Sequence, residues 1–193
     1  ALTTAQASAL SSAQIKGLSS ADMGALTTSA VSVLTTAALP GLSSAQLAGL
    51  GTGNVTALAS GNLTALSSAA LAGLTSAEAS ALDIKILGLQ PMQFADLTTQ
   101  AIVGLTTATT TGLTSADVTS LTTSQIAALS TSDISALVAT QISSLTSAQI
   151  PALSTIEIGA LSSTQMGYFT AAQVPYFTAS QLGAMSSDQL HAL

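Results

Sequence analysis

His191 is the single histidine of this chain, and the side chain best suited to move a proton near neutral pH. A hydrolase built on it would need a hydroxyl nucleophile and an orienting acid. Serines are so frequent here that meeting one in the sequence carries no information. The eight acids are the next resource. Asp117 and Asp133 lie two repeats apart and would stack if two repeats made one coil, which invites a calcium reading. Calcium takes about six to eight oxygens with several carboxylates converging, more than this pair supplies. Zinc needs clustered His and Cys, and the chain has no cysteine. The glycines do not follow a phosphate-loop spacing. No catalytic residue, metal ligand or cofactor site is therefore assigned, and the chain is read as non-enzymatic. What remains is hydroxyl chemistry. Rows of Ser and Thr, if aligned, could face an ice plane, another surface or O-linked sugar.

An octapeptide repeat positions all of these side chains. Leu, replaced by Phe or Met near the end, recurs every eight residues from Leu2 to Leu82. After one seven-residue step to Leu89 it recurs every eight again to Leu193. Numbered from that Leu, the octad reads Leu, Ser/Thr, Ser/Thr, Ala, Gln, Ile/Val/Leu, variable, Ala/Gly. Of 24 units, 19 have Ser or Thr at position 2 and 18 have Gln, Asn, Asp or Glu at position 5. A repeat this dense fixes the architecture before any single residue is considered.

With position 2 as a helix N-cap, its hydroxyl accepts from the backbone N–H of position 5, and the position-5 side chain reaches back. That is the S/T-x-x-E/Q capping box. Positions 1 and 6 become the hydrophobic staple. Asp22, Glu78, Asp117, Asp133 and Glu157 all fall at position 5, in the first turn, where negative charge suits the helix dipole. Ten glycines fall at positions 7 or 8, as a left-handed C-cap would require. Pro40, Pro151 and Pro175 fall at position 7, where they stop a helix.

One long helix is excluded, because eight residues overshoot two turns by about 80° and the Leu stripe would wander. Isolated helices this short are unstable in water, so they persist only by packing Leu and Ile of successive units into one core. The expected fold is an all-α solenoid of very short capped helices, one per octad. The alternative is a β-solenoid, favoured by Thr and β-branched residues but opposed by the opposite parity of positions 1 and 6. The expected organisation is one continuous solenoid: octads over 1–81, an irregular stretch over 82–96, and octads again over 97–193. Leu50 to Ala65 holds two units with Gly-Asn at positions 4 and 5 and no position-2 hydroxyl, a patch of weaker helix formers. In the irregular stretch Lys85, Pro91, Met92 and Phe94 replace small residues. They read as bulk filling the space of the lost residue, or else as a binding spot.

Only 5% of residues are charged, against about a quarter in ordinary soluble proteins. The net charge of −6, with Lys16 and Lys85 as the only Lys or Arg, argues against nucleic acid as a partner. No apolar run is long enough to span a membrane. A hydroxyl- and amide-covered surface with so little charge repels copies of itself weakly, so self-association is expected. Absence of cysteine is compatible with export. The chain starts at Ala1, which suggests a processed chain or a piece of a longer one.

Octads such as Leu42-Ser-Ser-Ala-Gln-Leu-Ala-Gly and Leu145-Thr-Ser-Ala-Gln-Ile-Pro-Ala resemble the low-complexity repeat regions of large secreted or cell-surface proteins of Gram-negative bacteria. The resemblance covers nearly the whole chain, and the irregular stretch departs from it. It implies an extracellular or cell-surface location and a structural or adhesive role, with another copy, a cell surface or a glycan as partner. No functional residue carries over from it. Neither end shows a polar capping unit, and the last units grow more apolar. The expected assembly surface is therefore the two ends: Leu2 and Leu10 at the start, and Phe169, Tyr176, Phe177, Met185 and Leu193 at the finish, meeting head to tail as a filament. The alternative function is an ice- or surface-binding protein using the hydroxyl ladder.

Overall fold

A computed structural model describes residues 2–193. Among them there is no strand, and nineteen α-helices and four 3-10 helices follow one another in chain order. The β-solenoid alternative is set aside and the helical one holds. The chain separates into two compact units, Ala1–Leu105 and Thr106–Leu193, and the irregular stretch lies inside the first. Each unit is a solenoid of short helices. No helix is long and apolar enough to cross a membrane among the described residues.

The octad acts as its spacing predicts. In the unit Leu121–Ala128 the Thr122 backbone is extended (φ −70°, ψ 160°) and its Oγ1 accepts from Gln125 N at 3.2 Å. Gln125 Oε1 in turn accepts from Thr122 N at 2.7 Å, which completes the box. The same reciprocal pair recurs from Thr3 and Gln6 through Ser186 and Gln189. Position 6 is core: Ile15, Met23, Leu47, Ile134 and Ile158 are fully buried. Position 1 lies beside it, with Leu42, Leu74, Leu121 and Leu153 almost completely covered. Thr122→Ala is expected to cost about 0.5–2 kcal/mol, and Thr123→Ala less, because it is the Thr122 hydroxyl that caps the helix. Chemical denaturation of the two variants checks this, and a costlier change at Thr123 would mean that the register is wrong.

Where Pro sits at position 7, the α-helix gives way to a turn and a short 3-10 helix: Leu39–Gly41, Ile150–Ala152 and Val174–Tyr176. Proline has no N–H to give to position 3, so the four-residue ladder cannot form there.

The expectation for glycine needs correction. Gly17, Gly104 and Gly167 all cap their helices in the right-handed region, with φ near −79°, −84° and −67°. Only Gly51 has positive φ among the described glycines. The corner needs no left-handed residue because extended backbone makes it. Leu113 (ψ 136°) and Thr114 (ψ 164°) turn the chain from one helix to the next. Glycine serves close approach instead. A Cβ on Gly41, Gly73 or Gly104 would run into the backbone of Ser12, Ser44 or Ser76, and one on Gly49 would lie 2.5 Å from the Ser20 carbonyl oxygen. Position 8 of one coil thus rests on position 3 of the coil before.

In the irregular stretch, Asp83–Gly88 is 3-10 helix. Its greater rise per residue lets seven residues cover the span of eight. Asp83 takes φ 46°, the one positive value among described non-glycine residues. Phe94 fills position 6 and is fully buried, and Lys85 Nζ donates to the Thr56 carbonyl at 2.5 Å. Phe94 and Lys85 thus serve the packing of unit one, while Met92 stays 81% exposed.

Candidate assembly surface

The residue that joins coil to coil is the position-5 glutamine. Its Oε1 caps its own helix, which leaves the Nε2 free to donate elsewhere. Gln149 Nε2 donates to the carbonyls of Val118 and Leu121, 31 and 28 residues back, both at 2.7 Å. Gln173 bonds Ile142 and Leu145, Gln181 bonds Ile150 and Leu153, and Gln189 bonds Ile158 and Leu161, at 2.6–3.0 Å. In unit one Gln46 does the same with Ile15 and Leu18. The acceptors are the position-6 carbonyl at the end of one short helix and the position-1 carbonyl at the corner after it. One side chain therefore caps the start of its own helix and the finish of another, one coil earlier. These glutamines are 2–6% exposed, so both ends of the amide are satisfied in a buried seam.

Contacts between coils recur at separations from 25 to 31 residues, so one coil takes between three and four octads. The calcium reading needed two octads to make one coil. Octads two apart do not stack, and the structure does not bring Asp117 and Asp133 together. Each caps its own helix, from Thr114 and Ser130, and Asp133 also accepts from Thr107 Oγ1 at 3.2 Å. No group of three potential metal ligands occurs among the described residues. His191 is exposed, its Nδ1 2.7 Å from the Ser187 carbonyl oxygen. The position-3 hydroxyls that might have formed a free ladder are partly used between coils. Ser68 donates to Asp96 Oδ2 at 2.6 Å, and Ser115 to the Thr140 carbonyl at 3.1 Å.

The two Asn octads keep half of the device. Asn54 and Asn62 donate to the carbonyls of Leu26 and Leu34 at 2.9 and 2.7 Å, but Ala59 offers the following helix no hydroxyl cap. Acids at position 5 keep the other half: they cap and cannot donate. Asp22 shows the capping part alone. Hydrogen bonds from the Ser19 hydroxyl and then the Ser19 N–H hold its carboxyl below the ordinary value for aspartate. That capping is complete at neutral pH and is lost only as pH falls through the depressed value. Glu78 shows what the missing donor leaves. It is 2% exposed, and its Oε1 has no hydrogen-bond partner.

Comparison with protein-family models, with curated proteins and with solved structures finds no match for the chain. The functional reading therefore rests on the chain's own geometry. At the start, Leu2, Leu10 and Leu18 are half-buried, whereas position-1 leucines further along are nearly covered. At the finish, Phe169, Phe177 and Met185 are 5%, 7% and 8% exposed. The two Phe rings meet edge to face with centroids 4.9 Å apart. These three are core residues, and lysine at Phe177 or Met185 would disrupt the last coil rather than test an outer face. Tyr176 is 46% exposed and Leu193 half-buried. Sequence reasoning missed the apolar side chains that do lie open there, Leu182 and Leu190, at 37% and 47%. They occupy position 6, which a later coil covers elsewhere.

Proposed function

We propose that this chain is a structural protein, the subunit of an extracellular filament or the stalk region of a surface adhesin, and that it assembles end to end. The observation that supports this is the coil-to-coil clamp. Gln46 in unit one and Gln149, Gln173, Gln181 and Gln189 in unit two make the same contact with the coil before. The position-5 acids Asp22, Glu78, Asp117, Asp133 and Glu157 serve as helix-capping partners. Nucleic acid does not suit a chain of net charge −6. Another copy is the favoured partner, with a cell surface or glycan as the target of a stalk.

Negative-stain electron microscopy of the purified chain tests the reading. Fibres one molecule wide are expected, and uniform particles at all concentrations would count against it. The same preparation, held dilute enough to stay monomeric, is expected to leave ice growth unchanged at micromolar concentration. Thermal hysteresis or faceted crystals would put ice binding first instead.

A further inference from the structure

Among the described residues, Glu78 is the acid whose second oxygen is both sealed from water and unserved. Its Oε2 accepts from the Thr75 N–H and hydroxyl at 3.0 and 2.8 Å. Its Oε1 meets no donor, on a side chain only 2% exposed. A buried carboxylate in this state is costly unless a donor or a positive charge reaches it. In the register of the seam Glu78 follows Leu47 and Leu50 by 31 and 28 residues, as Gln46 follows Ile15 and Leu18. The corner opposite Glu78 is unlike the others. At Leu42 and Ser43 the corner is regular, with ψ 135° and then φ −90°. At Leu50 the helical geometry runs on, and Gly51 takes φ 70°, ψ 170°. The torsions on either side of this peptide have thus swung by about half a turn in opposite senses, which turns the planar peptide over and leaves the flanking chain in place. The Leu50 carbonyl therefore points away from the direction it would have at a regular corner. A Cβ on Gly51 would meet nothing within 4 Å, so this glycine serves conformation rather than close approach.

We propose that Glu78, Leu47 and Leu50 form a binding site for a sodium ion, and that the Leu50–Gly51 peptide is its switch. An unusual backbone setting beside a partnerless buried acid is the observation that points there. Turned back to the regular corner, which glycine allows, the peptide brings the Leu50 carbonyl in beside that of Leu47. The two carbonyl oxygens and Glu78 Oε1 then converge where a seam glutamine would place its Nε2. Hard cations take oxygen ligands of this kind, and one carboxylate among neutral carbonyls balances one positive charge. The ion does for the acid what the amide nitrogen does for glutamine, and ties the coil of Glu78 to the coil before.

Thermal unfolding of the full chain in sodium chloride and in choline chloride of equal concentration tests this. The two salts screen charge alike, and choline is too large for the site. The parent is expected to unfold about 2–4 °C higher in sodium chloride. Glu78→Gln carries its own donor and should show no such difference, so its advantage over the parent narrows in sodium. Glu157→Gln, the same change at another buried position-5 acid, should keep the parent's response. Gly51→Ala penalises the φ 70° setting and permits the turned-back one, so it should lose more stability in choline than in sodium. The parent is also expected to broaden the sodium NMR line, and Glu78→Gln is not. The same sodium response in the parent and in Glu78→Gln, or no response in either, would overturn the site. A Gly51→Ala loss of equal size in both salts would overturn the turning of the peptide.

Discussion

Gln149→Glu is expected to lower the stability of unit two by about 2–5 kcal/mol, far more than an ordinary surface Gln→Glu change. Gln149 is 2% exposed and uses its whole amide. Oε1 accepts from Thr146 N at 2.9 Å, and Nε2 serves two carbonyls one coil back. The carboxylate keeps the first bond and loses the other two. It also sets a buried negative charge against the carbonyl oxygens of Val118 and Leu121, which are then left without their donor. The reverse change, Glu78→Gln, is expected to stabilise unit one by about 1–2 kcal/mol. Glu78 already carries an orphaned buried oxygen, and the register places the Leu47 and Leu50 carbonyls opposite it. Urea denaturation of the three proteins gives both signs. Equal stability of Gln149→Glu and the parent would mean that the seam bonds contribute nothing.

Gly73→Ala is expected to destabilise by about 3 kcal/mol, and Gly53→Ala to stabilise by about 0.5–1 kcal/mol. The chemistry of the two changes is identical and the surroundings differ. A methyl on Gly73 meets the backbone of Ser44 in the coil below, and backbone cannot rotate out of the way. A methyl on Gly53, inside the kinked helix Ser44–Val55, meets nothing within 4 Å. Neither glycine has positive φ, so conformational strain does not enter. Thermal unfolding of the pair separates close approach from helix capping as the reason for position-8 glycine. A C-cap role would leave Gly73→Ala nearly neutral, given the right-handed caps seen at Gly17 and Gly104.

The local half of this fold could be read from the sequence because its causes are local. A hydroxyl three residues before Gln fixes the N-cap, and Pro at position 7 fixes the stop, whatever the rest of the chain does. The glycine reading failed where the cause was distant. Gly at a helix end suits both a left-handed turn and a neighbouring backbone, and spacing alone does not separate them. The second role of glutamine did leave a trace. Position 5 holds eleven Gln and two Asn against five acids, although a capping box at a positive helix end is served as well by Glu. A need for a donor accounts for that preference. The last coil was harder, because position 1 is apolar whether Phe169 and Phe177 face outward or inward. Their burial depends on how many octads complete a coil, and that number is set by contacts some 28 residues apart.

The central claim is that each position-5 glutamine clamps the coil before it. Side-chain amide NMR of the chain with ¹⁵N-labelled glutamine tests this most directly. The Nε2 protons of Gln149, Gln173, Gln181 and Gln189 should exchange slowly and show contacts to the leucine 28 residues earlier. Those of Gln6 and Gln14 should exchange at the rate of free amides in the dilute monomer. Contacts to the repeat two octads earlier, or fast exchange at all of these glutamines alike, would contradict the account.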